Sequence, residues 1–247
     1  MNPVIEVRSL RFAYPDGTRA LDGIDVTIDA GESVALFGPN GSGKTTFVLH
    51  LNGLLAGEGD VRICGEPISR RNLRRIRQQV GLVFQDADDQ LFMPTVGEDV
   101  AFGPLNLGAT PEEAERAAAA ALEQVGLAGM ERRAPYHLSA GEKRRAALAG
   151  VLAMAPEILV LDEPTTALDP PGRLSLIGLL SPLRQTKLIV THDTELARHV
   201  CGRALFFEKG KITCDGPLQQ VIERMQWGAG ELRSSDFGLR ISNTAGP

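Results

Sequence analysis

The chain has 247 residues, 43% of them hydrophobic, and carries 26 basic and 31 acidic side chains for a net charge of −5. That length suits one large or two small domains, and the mild acidity argues against tight, nonspecific nucleic-acid binding. The longest apolar run, 146–155, is too short to cross a bilayer.

Glu6 and Arg8 interrupt the first apolar stretch, so no signal peptide is expected. Segments 4–7, 10–14 and 24–29 alternate apolar and polar residues, as half-buried antiparallel strands do. Pro15-Asp16-Gly17 marks a turn. Segment 33–37 is apolar throughout and runs into Gly38, Pro39, Asn40, Gly41, Ser42, Gly43, Lys44, Thr45 and Thr46, followed by a helix-like stretch. A strand, a glycine-rich loop of the form G-x-x-x-x-G-K-[ST] and a helix make a phosphate-binding loop. The glycines let backbone N–H groups turn inward around phosphates, and the helix N-terminus adds its positive end. Lys44 can reach the terminal phosphates, and the Thr45 hydroxyl can ligate Mg²⁺.

Segments 61–64 and 80–84 read as further strands. From 86 to 155 alanine and glutamate dominate and helix signals appear. Thr110-Pro111-Glu112-Glu113 combines an N-cap, proline at the first helical position and early acidic residues. The helix it starts ends before Gly126, and a second runs from about 140 to 154, before Pro156. Segments 158–161, 188–191 and 204–207 are continuous apolar runs, expected of buried parallel strands. Between them 174–183 is helical by period. From about Gly228 no period holds, and a flexible end is expected. Cys64, Cys201 and Cys214 lack metal-type spacing and read as small apolar core residues of a cytosolic protein.

Asp162 and Glu163 close the strand at 158–161. Carboxylates at the carboxyl end of a buried parallel strand sit where such sheets bind ligands, and burying them is costly without a cation or a proton to hold. Asp162 is therefore expected beside Mg²⁺, and Glu163 facing the terminal phosphate, polarising a water. Gln85 and His192 end two other strands on the same edge and are expected to contact that phosphate and water. His50, His137 and His199 have no such context. The arginines at 70, 71, 74, 75 and 77 have helical spacing, with Leu73 and Ile76 opposite, and read as a solvated helix face.

Leu138-Ser139-Ala140-Gly141-Glu142 opens the second helix of the inserted segment and resembles the Leu-Ser-Gly-Gly-Gln signature of ATP-binding cassette (ABC) ATPases. The loop at 38–46, Gln85, 138–142, 161–164 and His192 follow the family's order over about residues 4–222. Ala167-Leu168-Asp169 is similar to its D-loop, and Tyr14 to its adenine-stacking aromatic. The resemblance implies an α/β fold: a RecA-like P-loop NTPase core with an antiparallel β subdomain and an inserted α-helical subdomain. It implies ATP and Mg²⁺ as ligands, with Thr45, Gln85 and Asp162 at the metal. It also implies that Ser139 and Gly141 act on nucleotide held by a second copy or a related ATPase, and it places Glu142 and Asp169 among the nucleotide-binding residues. Two positions depart from the signature. Ala140 replaces a glycine, and Glu142 puts a carboxylate near a triphosphate, which repels it unless it reaches ribose hydroxyls or a basic group.

Segment 84–108 resembles the ATPases of energy-coupling-factor importers, most of all the cobalt and nickel type, with vitamin importers such as those for biotin as the alternative. That implies a peripheral protein on the cytoplasmic face of the membrane, with the region after Gln85 contacting membrane subunits. Soluble cassette ATPases of translation or DNA maintenance fit less well, because the chain has one cassette and no heptad run; no nucleic-acid partner is expected. A kinase using the same loop has no need of the signature. The expected division is a core with its β subdomain at 1–85 and 157–225, a helical subdomain at 86–156 and a tail at 226–247.

Overall fold

The computed structural model describes residues 3–226; the tail expected to be flexible lies outside them from 227 onward. Two sheets share the core. The first has four antiparallel strands in the order β2-β1-β4-β5: β1 (Pro3–Ala13), β2 (Arg19–Asp29), β4 (Glu58–Ile63) and β5 (Glu66–Pro67). The second has six in the order β10-β9-β3-β8-β7-β6: β3 (Ser33–Phe37), β6 (Val80–Val83), β7 (Ile158–Asp162), β8 (Thr186–Val190), β9 (Arg203–Glu208) and β10 (Lys211–Pro217). All are parallel except the edge strand β10, which runs antiparallel to β9.

The uninterrupted apolar runs form parallel strands buried on both faces, as expected: every residue of β6, β7 and β8 is buried. Alternation then distributes these side chains between two cores. Val34, Leu36, Val160 and Leu188 face the antiparallel sheet together with α1 (Lys44–Leu51) and α2 (Leu73–Gln79). Ala35, Phe37, Leu159, Leu161 and Ile189 face the inserted helices α3 (Val96–Asn106), α4 (Pro111–Gln124) and α5 (Ala140–Leu152), and also α6 (Pro170–Leu180), α7 (Thr194–Val200) and α8 (Leu218–Met225).

The two expected N-terminal strands are one. β1 passes through 8–9 with a register shift between Val7 and Leu10, where Ser9 takes φ +52° and its N–H donates to Asp25 Oδ1 at 2.8 Å. An irregular residue whose backbone is satisfied by a side chain bends a strand without ending it. α6 starts four residues earlier than the apolar period suggests, because Asp169 caps it and Pro170 occupies its first turn. α3 and α4 begin with capping boxes, Thr95 with Glu98 and Thr110 with Glu113.

α5 lies against the edge strand β6 at a glycine. A Cβ on Gly81 would fall 2.3 Å from Val151 Cγ1 and 3.0 Å from Pro156 Cγ. Gly81→Ala is therefore expected to lower stability by roughly 1–3 kcal/mol through overpacking, read as a lower urea midpoint at unchanged slope.

Candidate functional site

β3 ends in a loop that only glycine can build. Gly38, Gly41 and Gly43 have φ of +138°, +74° and +106°. A Cβ on Gly38 would lie 2.1 Å from the Phe207 carbonyl oxygen, and one on Gly43 2.5 Å from that of Ala20. The backbone thus folds tightly over β9 and β2, and α1 begins at Lys44 with no side chain capping its first turn and no acidic residue in it. Its N–H groups are left for an anion. Lys44 is buried, and its Nζ donates to the carbonyls of Gly38 at 2.6 Å and Pro39 at 2.9 Å. Burial pushes its pKa down, against the pull of Glu163 and Asp162.

Asp162 stands at the end of β7, buried, and its Oδ2 accepts from the Thr45 hydroxyl at 2.9 Å. Its Oδ1 is also buried and has no hydrogen-bond partner among the described residues. Burial raises its pKa, with the Thr45 bond and the Lys44 charge opposing. A buried carboxylate oxygen without a donor, beside a hydroxyl, suits a small hard cation such as Mg²⁺.

Glu163 follows in a left-handed conformation, φ +45°, its N–H held by the Val190 carbonyl of β8. Its carboxylate accepts from the His192 N–H at 3.3 Å and lies 3.2 Å from His192 Nε2. Nε2 is also 3.2 Å from Asn40 Oδ1. Burial, then the Lys44 charge, lowers the His192 pKa, which favours the neutral ring. Both neighbours of Nε2 are acceptors, which assigns the ring proton to Nε2. Burial pushes the Glu163 pKa up, and its bond from the His192 N–H pulls it back. A carboxylate with a raised pKa, oriented by an imidazole, can take a proton from water or polarise it.

Tyr14, Gln85, Asn40, Lys44, Thr45, Asp162, Glu163 and His192 line a single open cleft of about 620 Å³. Two supporting arrangements were not legible in the sequence. The Tyr14 hydroxyl is 3.0 Å from Thr46 Oγ1, its ring meets Phe12 edge-on at 5.0 Å, and Phe12 in turn meets His50, whose Nδ1 is 2.7 Å from the Thr46 carbonyl oxygen. The aromatic platform is thereby tied to α1. Arg144, buried on α5, donates to the carbonyls of Phe84 at 2.8 Å and Thr166 at 3.4 Å. Gln90, not Gln85, fastens the strand exit, accepting from the Phe84 N–H at 3.2 Å and donating to the Ala147 carbonyl at 3.3 Å. Arg144 sits in a basic run and Gln90 in a polar loop, so neither carried a periodic signal.

Ser139 and Gly141 are elsewhere. With Ala167, Leu168 and Asp169 they line a second pocket of about 540 Å³ that shares no lining residue with the cleft. Asp169 Oδ1 accepts from the Gly172 N–H at 2.9 Å and caps α6. Ser139 caps α5, and Glu142 completes the cap. The Glu142 carboxylate bonds back to the cap: Oε2 accepts from the Ser139 N–H at 2.8 Å and from the Ser139 hydroxyl at 2.7 Å. The Ser-x-x-Glu spacing is a capping box, a local signal that the likeness to the signature obscured.

The ABC transporter family model matches residues 21–166. A putative ABC transporter ATP-binding protein of Geobacter sulfurreducens is 55% identical over 89% of this chain and 88% of its own length. The energy-coupling factor transporter ATP-binding protein EcfA of Methanothermobacter thermautotrophicus is 51% identical over 87% and 72%. Among solved structures, cbiO1 from Clostridium perfringens, described as part of the ABC transporter complex cbiONQ, superposes with a TM-score of 0.82 at 35% identity, covering 92% of this chain and 93% of its own. A dimeric ATP-binding cassette in a post-hydrolysis state with ADP and Pi gives 0.78 at 28% identity, covering 87% and 98%.

The unpartnered Asp162 oxygen has a stability consequence. Because the folded state raises this carboxyl's pKa, the cost of ionising it grows as pH rises from the unfolded value near 4 and is complete above the folded value. Asp162→Asn keeps an acceptor for Thr45 without the charge. It is expected to stabilise the nucleotide-free protein at pH 7, an advantage that shrinks as pH falls toward 4, measured by thermal unfolding across that range.

Proposed function

The chain belongs to the ABC transporter family of ATPases, with energy-coupling-factor ATP-binding subunits among its relatives; from that premise we propose that it drives import of a transition-metal ion, cobalt or nickel, working as a nucleotide-sandwich dimer. It binds and hydrolyses ATP as its family does. The roles of individual residues are our reading. The N–H groups of 38–46 cradle the phosphates, and Lys44 exchanges its bonds to the Gly38 and Pro39 carbonyls for β- and γ-phosphate oxygens. Tyr14 stacks on adenine. Thr45, Gln85 and Asp162 hold Mg²⁺, which when bound neutralises charge on the terminal phosphates. Glu163 orients and polarises the attacking water. His192 Nε2–H, presented toward the same space, donates to the γ-phosphate.

The observation that carries the dimer is the separation of the two pockets. Ser139, Gly141 and Asp169 line a pocket that shares no residue with the cleft Lys44 lines, so on this reading they serve a nucleotide other than the one that cleft holds. A second copy, or a related ATPase, brings its own Ser139 face to the nucleotide in the cleft. On this reading the core with its β subdomain (1–85 and 157–225) supplies the Lys44 cleft and the helical subdomain (86–156) supplies Ser139 and Gly141; the proposed tail (226–247) lies outside the described residues from 227 onward.

The region after Gln85 suits a membrane subunit. Phe92 and Phe102 are exposed, pack edge to face at 4.9 Å and, with Leu91, Leu107 and Met154, line a groove of about 550 Å³ between α2, α3 and α5. Short helices of a membrane partner would lie there, holding the ATPase against the cytoplasmic face. No helix among the described residues is long and apolar enough to cross a membrane itself. The likeness of 84–108 to cobalt and nickel importers, together with the neighbour from the cbiONQ complex, supports a metal over a vitamin.

Two measurements test this reading. Glu163→Gln is expected to retain ATP binding, lose turnover by about 10²-fold or more and accumulate as a dimer in Mg-ATP, seen by light scattering; a monomer that turns over normally would remove Glu163 from its role. Proteoliposomes holding the complete transporter are expected to accumulate Co²⁺ or Ni²⁺ in an ATP-dependent way, and accumulation of a vitamin instead would overturn the metal assignment.

A further inference from the structure

The Ser139 hydroxyl has one proton to give, and in this structure it gives it to Glu142. The bond to Oε2 is 2.7 Å, and the same oxygen accepts the Ser139 N–H at 2.8 Å, while the Ser139 oxygen accepts the Glu142 N–H at 3.3 Å. Short hydrogen bonds to a carboxylate are about twice as strong as neutral ones. These contacts hold Glu142 firmly ionised: its pKa is depressed first by the Ser139 hydroxyl, then by the Ser139 N–H, with Arg133 and Arg145 adding their charge. The negative oxygen therefore occupies the position at the start of α5 from which a hydroxyl and a helix N-terminus would otherwise address an incoming anion.

We propose that Glu142 is a positioning residue that acts as an intrachain rival of the ATP phosphate, engaging the Ser139 hydroxyl so that dimer closure requires that hydroxyl to change acceptor. The inference rests on the reading that Ser139 meets nucleotide held by a second copy. Closure then has two costs beyond the docking of surfaces. The charge-assisted bond within α5 must break, and the carboxylate must turn from the approaching phosphate, which repels it. Arg145, which lines the pocket with Ser139, and Arg133 are the cations placed to receive it. A neutral glutamine side chain in place of Glu142 would retain an acceptor oxygen and the geometry of the capping box but impose neither cost in full. The acidic residue thus raises the ATP concentration at which two copies associate and keeps the subunits apart when nucleotide is scarce.

The experiment uses full-length protein carrying Glu163→Gln, so that hydrolysis does not drain the dimer, and measures dimer formation against ATP by light scattering. Adding Glu142→Gln is expected to lower the ATP concentration for half-maximal dimer by about three- to tenfold, the difference between one charged and one neutral hydrogen bond. Adding Ser139→Ala as well is expected to abolish that gain, since the rivalry needs the hydroxyl; a merely structural effect on the helix would survive it. Glu142→Ala, which also loses the reciprocal half of the capping box, should show the same gain with a lower melting temperature. Unchanged or weaker dimerisation of Glu142→Gln, or a gain that persists without the Ser139 hydroxyl, overturns the proposal while leaving the ATPase dimer intact. A Glu163→Gln parent that stays monomeric at saturating Mg-ATP overturns both.

Discussion

Two buried charges, Lys44 and Asp162, and the half-buried Glu163 meet at the carboxyl edge of the six-stranded sheet, and the remainder of the structure is arranged around their mutual compensation. Lys44, Asp162 and Glu163 all have pKa values moved toward neutrality by loss of water. Each is also held toward its charged form by its neighbours: Lys44 by the two acids, Asp162 by the Thr45 hydroxyl and Glu163 by the His192 N–H. Left alone, such a group destabilises the fold. On the proposed reading a triphosphate with a divalent cation would supply the missing partners, a cation for the Asp162 oxygen and anions for Lys44. The binding energy is stored in advance as unsatisfied electrostatics, which is why a rigid frame of fully buried strands is needed beneath it.

The frame reaches the rest of the molecule through backbone carbonyls. Arg144 grips Phe84, one residue before Gln85, and Thr166, three after Glu163. Its helix starts at Ser139 and lies beside the groove lined by Phe92 and Phe102. A displacement of α5 therefore cannot leave either strand exit untouched. Gln90 repeats the linkage by binding both Phe84 and the Ala147 carbonyl of the same helix. Buried hydrogen bonds from a guanidinium to carbonyls are costly to break singly, so the groove, the strand exits and the signature helix are expected to shift together.

What the sequence made legible was whatever a local pattern enforces. The loop at 38–46 is written in glycines whose φ values and close approaches allow nothing else. The parallel strands are apolar on both faces because both faces are covered. α4 announces itself in Thr110-Pro111. The failures arise where two patterns overlap or where a contact is distant. Asp169 read as a D-loop residue concealed its second duty as the cap of α6, and the signature likeness concealed a capping box at 139–142. β1 looked like two strands because a bulge at Ser9 shifts the alternation. Thr46, read as a phosphate contact, also meets Tyr14, thirty-two residues before it in the chain, and no period connects such positions.

The segment from Asp162 to Asp169 holds two left-handed residues four positions apart. Glu163 and Ala167 are non-glycine residues at φ +45° and +63°, conformations that cost about 1–3 kcal/mol each unless the surroundings fix them. Those surroundings are unequal. Asp162, Glu163 and Thr166 line the cleft beside Lys44, whereas Ala167, Leu168 and Asp169 line the pocket with Ser139. The chain thus passes from one pocket to the other between Thr166 and Ala167, beside the carbonyl that Arg144 holds. A segment wound this tightly cannot adjust one end alone, because relaxing either left-handed residue re-aims the carboxylate of Glu163 or the cap of α6. If the Ser139 pocket meets a second copy, contact there acts on Glu163 through the short covalent stretch between them, and hydrolysis in one cleft becomes sensitive to the neighbour without any longer pathway.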